Sequence, residues 1–253
     1  MRTILVIGIG AGNPDYVTVQ AINAMNRAQV FFVPDKGVEK SGLNAVRMAI
    51  LERFVAGRDY RLVDFAVPSR RQAETPEYQA SVGEWRDELV AAYQLMFAEL
   101  GEDGVGAFLV WGDPAIYDGT LRILKDMQAA GHQFKIEVVP GISAPQALAA
   151  QLQVPLNRVG ETITITTGRR VGEGEADGSS SAVVMLDNHE VFRRFAESDA
   201  EIFWGAYLGT DDEILVAGKV SEVMDEIGRK RADAKARHGW IMDTYLIRKP
   251  EAD

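Results

Sequence analysis

Cysteine is absent from the 253 residues, which excludes disulfides, thiolate metal sites and cysteine nucleophiles. Histidine is scarce as well. The three that occur, His132, His189 and His238, are too scattered for a metal-ligand spacing, so no catalytic metal is expected. No apolar run approaches the ~20 residues needed to span a bilayer. Residues 1–7 read as a buried first strand rather than a signal peptide, because the apolar part is short and no small-residue cleavage site follows. Net positive charge is missing too: the formal charge of -10 argues against general nucleic-acid binding. Neither a phosphate-binding loop ending in Gly-Lys-Ser/Thr nor a Gly-x-Ser-x-Gly elbow is present, which disfavours nucleoside triphosphate hydrolysis and ordinary serine hydrolysis. The remaining expectation is a cytoplasmic globular protein of ordinary composition, 47% apolar and 25% charged.

What is present is an alternation of strands and helices. Strands are expected at residues 3–7, 30–33, 60–65, 105–110 and 134–139. Helices are expected at 18–27, 43–54, 77–100 and about 117–130. That alternation predicts a mostly parallel sheet covered on both faces. Beyond residue 155 the texture changes. Strand-like runs at 162–166, 182–186, 202–208, 213–218 and 240–248 share a single long helix around 221–236, which predicts a mixed sheet. The stretch 168–181, rich in Gly, Ser and acid, reads as an exposed, mobile loop. The fold class is therefore α/β in two domains, residues 1–155 and 156–253.

Three turns punctuate the first domain at strand ends: Gly8-Ile9-Gly10-Ala11-Gly12-Asn13-Pro14, Trp111-Gly112-Asp113-Pro114-Ala115-Ile116-Tyr117 and Pro140-Gly141-Ile142-Ser143. In an open α/β sheet, ligands lie outside the carboxyl ends of the strands, so these turns are candidate ligand contacts. The first resembles a dinucleotide fingerprint but carries Asn13 where the sixth-position glycine belongs, and Pro14 follows. Asp35, at the end of the second strand, stands where a ribose-binding acid would stand. A nicotinamide-dependent oxidoreductase is thus one reading. A tight structural turn is another, although it leaves the other two turns unexplained.

Together the three turns resemble the tetrapyrrole methylases, S-adenosylmethionine-dependent enzymes of corrin and sirohaem synthesis. The stretch Val154-Pro155-Leu156-Asn157-Arg158 is similar to the entry to that family's second domain. Further details place the likeness with the corrin branch that methylates ring carbon C1 and removes an acetyl group as acetate. These are Phe31-Phe32-Val33-Pro34-Asp35-Lys36-Gly37, the long insertion up to Gly104, and Met185-Leu186-Asp187 where many members carry a Tyr-Met-Gly-like triplet. The resemblance implies a homodimer with S-adenosylmethionine in the interdomain cleft and S-adenosylhomocysteine as its product. It implies cofactor contacts at Gly10, Gly112, Asp113, Ile116, Tyr117, Ser143, Ala144, Leu186, Asp187, Ala206 and Tyr207.

Removal of an acetyl group needs a base and an oxyanion partner, and the candidates are Asp35, Lys36 and Tyr117. A substrate rich in carboxylates gives the basic residues a use: Arg47, Arg70, Arg71, Arg169 and Arg170 could form bidentate contacts with it. Attack at another ring carbon, diphthine synthesis on a protein and a non-catalytic tetrapyrrole carrier remain alternatives.

Overall fold

A computed structural model describes residues 1–35, 41–57, 59–66 and 77–250. By their contacts these residues form two compact units. The first comprises Met1–Gly10 and Pro14–Ile142, and the second Ala11–Asn13 and Ser143–Asp253.

The first unit follows the expected alternation: β1 (Thr3–Gly8), α1 (Val19–Met25), β2 (Val30–Asp35), α2 (Ser41–Phe54), β3 (Arg61–Ala66), α3 (Glu77–Ala98), β4 (Val105–Val110), α4 (Thr120–Ala129) and β5 (Lys135–Val139). All the pairings are parallel, in the order β3-β2-β4-β1-β5. Alternate residues of each strand serve opposite faces. Leu5, Ile7, Phe31 and Leu109 pack with Ala21 and Met25 of α1 and Ile50 and Leu51 of α2. Ile4, Val6, Phe32 and Phe108 pack with Leu89, Tyr93 and Phe97 of α3 and Leu124 and Met127 of α4. An aromatic cluster fills this second face, with Tyr93 stacked on Phe108 at 4.8 Å between ring centroids. Each such side chain, once fully buried, contributes about 1.5–3 kcal/mol. Thr18 starts α1 by accepting a hydrogen bond from the Ala21 amide at 3.1 Å.

Helices after β1 and β4 cover opposite faces of the sheet, although the two strands are neighbours. Their carboxyl ends therefore mark a topological switch point, the place where open α/β sheets hold ligands.

The second unit consists of α5 (Ala144–Gln151), β6 (Ile163–Thr167), α6 (Gly168–Gly172), β7 (Ser181–Met185), β8 (Glu201–Ala206), β9 (Ile214–Lys219), α7 (Val220–His238) and β10 (Asp243–Arg248). Its sheet runs β6-β7-β10-β8-β9, and only the β6–β7 pair is parallel. The division by contacts places α5 with this unit, because α5 packs on β8 and β10. The sequence reading put its boundary later, after residue 155.

The expected mobile loop at 168–181 is corrected here. It opens with α6, and Val171 and Ala176 are buried in the unit's core. Thr166 Oγ1 donates to Glu175 at 2.6 Å, and Arg194 holds the Val171 carbonyl. Two apolar residues anchor a segment whose average composition is that of a loop.

Where β1 and β4 end, the turns meet backbone to backbone. A Cβ on Gly141 would lie 2.1 Å from the Gly112 carbonyl oxygen, and one on Gly8 would lie 2.6 Å from the Gly141 nitrogen. Gly141→Ala should therefore destabilise the protein by about 3 kcal/mol or more, since backbone cannot yield as a flexible side chain does. Gly42→Ala, whose Cβ would meet nothing within 4 Å, should be neutral or slightly stabilising. Calorimetric melting of the two variants checks this.

Candidate active site

Gly10 and Gly112 form an isolated bridge, with the Gly112 amide donating to the Gly10 carbonyl at 2.9 Å and the Gly10 amide donating back at 3.2 Å. Asp113 extends this to the third turn. Its Oδ2 accepts the Gly141 amide and its Oδ1 the Ala115 amide, at 2.8 and 2.7 Å. The Asp113 carboxylate thus serves as an internal brace. Beside it the backbones of Gly8, Gly112 and Gly141 lie against one another with no side chain between them. The turn then tightens, with the Ile116 amide donating to the Asp113 carbonyl, and Tyr117 follows in the left-handed region at φ 53, its side chain exposed.

After the first turn the chain enters a short 3₁₀ segment, Pro14–Tyr16, and α1 starts only at Val19. The dinucleotide fingerprint needs a helix N-terminus directly behind its glycines, so this arrangement does not suit a pyrophosphate.

The expected residues of the second unit are also tightly held. Ser143 is buried and caps α5, its amide donating to Gln146 Oε1 at 3.0 Å, and Ala144 is the first helical residue. Leu186 projects from the end of β7 at φ 54 with its side chain exposed. Asp187 is buried. Its Oδ1 accepts the His189 amide, and its Oδ2 accepts the Val191 amide and the Tyr245 hydroxyl, each at 2.8 Å.

Burial, with Asp187 close by, pushes the Tyr245 phenol well above its ordinary range. Arg231 joins the same network. It donates to the Asp187 carbonyl and, at 2.7 Å, to Asp243 Oδ2, which also accepts the Trp204 indole N–H at 3.0 Å. Ala206 ends β8 and is fully buried. Tyr207, at φ 48, has its hydroxyl on the Trp240 carbonyl at 2.6 Å. Within the same unit, a Cβ on Gly12 would lie 2.2 Å from the Leu208 carbonyl oxygen. Tyr117, Leu186 and Tyr207 thus share a backbone conformation that costs bulky residues of order 1–3 kcal/mol and gathers at functional sites.

The other expected residues fall as follows. Asp35 closes β2 at the carboxyl edge, while Lys36, Arg70 and Arg71 lie outside the described residues. Arg169 and Arg170 are exposed on α6, paired with Glu173, and Arg170 also with Glu175. Arg47 is buried, with Nε donating to the Leu109 carbonyl and Nη1 to Asn44 Oδ1, both at 3.0 Å. Burial lowers its pKa to about 10, against the pull of Asp118, so it stays cationic at neutral pH. Among the described residues no cluster of His, Cys, Asp or Glu could hold a metal.

Sequence reasoning missed Asn44, Arg231, Asp243 and Tyr245 as supports of the site. No motif marks them, since each acts through a partner distant in the chain. Gly8 and Gly141 stood inside the recognised turns, yet only the packing distinguishes them.

Glycine turns at the switch point of a parallel sheet, followed by a second mixed-sheet unit, define a class of two-unit α/β ligand-binding proteins. The sequence pattern of the Tetrapyrrole (Corrin/Porphyrin) Methylases matches residues 3–224, and the chain belongs to that family. A precorrin-6A synthase (deacetylating) from Sinorhizobium sp is 52% identical over 251 residues, covering 98% of this chain and 96% of the relative. The crystal structure of a cobalamin synthesis related protein (CobF) from Corynebacterium diphtheriae superposes with a TM-score of 0.84 at 37% identity, over 99% of this chain and 100% of that one. A uroporphyrin-III C-methyl transferase from Thermus thermophilus, complexed with S-adenyl homocysteine, shares the fold alone. Its TM-score is 0.57 at 15% identity, over 96% of each chain.

Asp113→Ala should cost about 1.5–3 kcal/mol for the loss of charge-assisted bonds to two amides, and Asp113→Asn, which keeps one acceptor, distinctly less. Urea unfolding monitored by circular dichroism checks both.

Proposed function

We propose that the chain is an S-adenosylmethionine-dependent methyltransferase that methylates C1 of precorrin-5 and releases the acetyl group as acetate, giving precorrin-6A. The observation that supports the cofactor assignment is the junction of Gly8, Gly112 and Gly141, a close approach of bare backbones at the strand ends, braced by Asp113. The ring position rests on the likeness to the Sinorhizobium enzyme.

In this reading Gly10, Gly112, Asp113, Ile116 and Tyr117 hold the cofactor. Peptide groups meet its amino-acid part, and the Asp113 carboxylate keeps the turn rigid from within. Ser143, Ala144, Leu186, Asp187, Ala206 and Tyr207 belong to the same set through the family resemblance. When bound, S-adenosylmethionine supplies a methyl group on an electrophilic sulfonium. The protein's task is then orientation, which can lower such a barrier by up to about 7–11 kcal/mol. Turns fixed by backbone contacts suit that task.

Acetyl release requires water to add to the acyl carbon while a base takes the proton. Asp35 closes a strand at the carboxyl edge, Lys36 follows it, and Tyr117 projects from the motif, so these three stay the candidates for base and oxyanion partner. Arg70, Arg71, Arg169 and Arg170 are candidates for the substrate's carboxylates, the last two by exchanging their glutamate partners on an exposed helix. A cytoplasmic homodimer completes the reading. No helix among the described residues is long and apolar enough to cross a membrane.

Calorimetric titration with S-adenosylhomocysteine, with NADH in parallel, tests the class. Stoichiometric binding of the former alone is expected, and binding of NADH alone would replace the reading with an oxidoreductase. Incubation with precorrin-5 and S-adenosylmethionine should then release acetate in step with methyl transfer. Methylation without acetate would place the activity at another ring carbon.

A further inference from the structure

Strand β2 stays with β4 only over Val30↔Gly106, Phe31↔Ala107 and Phe32↔Phe108, while its pairing with β3 continues to Asp35↔Ala66. Pro34 brings no N–H with which the ladder could go on. The Val110 carbonyl accepts the Ile9 amide on the β1 side, so the Leu109 carbonyl points to the opposite edge, toward β2. At this parting two side chains of α2 take over from the ladder. Asn44 Nδ2 donates to the Pro34 carbonyl at 3.3 Å, and Asn44 Oδ1 accepts from Arg47 Nη1. Arg47 Nε donates to the Leu109 carbonyl, closing a chain of bonds from β2 to β4.

We infer that Arg47 is a positioning residue that, with Asn44, bridges the parted ends of β2 and β4 and thereby sets the glycine turn at Gly112. This rests on the methyltransferase reading and replaces the expectation that Arg47 touches the substrate. Two of its nitrogens are engaged by the protein, and its side chain is buried. Leu109 stands three residues before Gly112, which in turn exchanges hydrogen bonds with Gly10 and touches Gly141. A shift of the β4 end is therefore felt at all three turns. The planar fork is essential, because its two nitrogens reach separate acceptors at a fixed spacing, which a single ammonium does not reproduce.

The test compares the unmodified protein with Arg47→Lys, Arg47→Met and Asn44→Ala. It uses calorimetric titration with S-adenosylhomocysteine and, separately, KM for precorrin-5. Both Arg47 variants should bind S-adenosylhomocysteine about tenfold more weakly, the equivalent of one lost hydrogen bond to a charged group, with KM for precorrin-5 within about twofold. Asn44→Ala keeps the guanidinium and should weaken binding about threefold, which serves as the measure if Arg47→Met does not fold. A merely structural residue would lower the melting temperature and leave the affinity of the folded protein unchanged. Unchanged S-adenosylhomocysteine affinity in Arg47→Lys and Asn44→Ala overturns the inference, as does a raised KM for precorrin-5 alone, which makes Arg47 a substrate ligand. Failure of the unmodified protein to bind S-adenosylhomocysteine overturns the methyltransferase reading instead, and the inference falls with it.

Discussion

The constraint on which the rest of the first unit depends is the contact of three peptide backbones at Gly8, Gly112 and Gly141. At Gly8 and Gly141 no side chain fits, because a Cβ on either would collide with the backbone of a neighbouring turn. Close backbone approach requires a brace, and Asp113 supplies one by accepting amides on both sides of the junction. The brace in turn requires the end of β4 to be held, and the ladder to β1 and the Arg47 fork hold its two edges. Turn chemistry, sheet topology and a buried cation are thus parts of one arrangement.

The second unit solves a comparable problem with side chains. Leu186 and Tyr207 sit at strand ends in left-handed conformations, and both are followed by polar networks. The Asp187 carboxylate is satisfied by two amides and a phenol, and Arg231 links that turn to Asp243 and Trp204. A buried ion pair of this kind is weak evidence for stability. Removing one partner is nonetheless costly, about 3–5 kcal/mol, so the network holds its turn firmly. The same terms describe Met185-Leu186-Asp187. The aspartate is turned inward to its own chain, and the leucine is the residue left exposed.

Much of this was legible in the residues. Strands β1 and β4 are apolar runs that end at or near a glycine, and the change of texture past residue 155 foretold the mixed sheet. The three turns stood out because a glycine after an apolar strand has few other uses. The 168–181 segment was misread because composition averages over fourteen positions, whereas burial there rests on Val171 and Ala176. The supports of the site were illegible for a different reason. Arg47 reads in sequence as one more candidate for the substrate's carboxylates, and its partner, the Leu109 carbonyl, comes to it only after the sheet has formed.

The most direct test of the central claim is hydrogen–deuterium exchange of the protein with and without S-adenosylhomocysteine. If the junction of turns is the cofactor's seat, added protection concentrates in residues 8–13, 112–117 and 140–144, and the helices packed against the sheet change little. Protection confined to other segments, with those three turns exchanging as before, would contradict it.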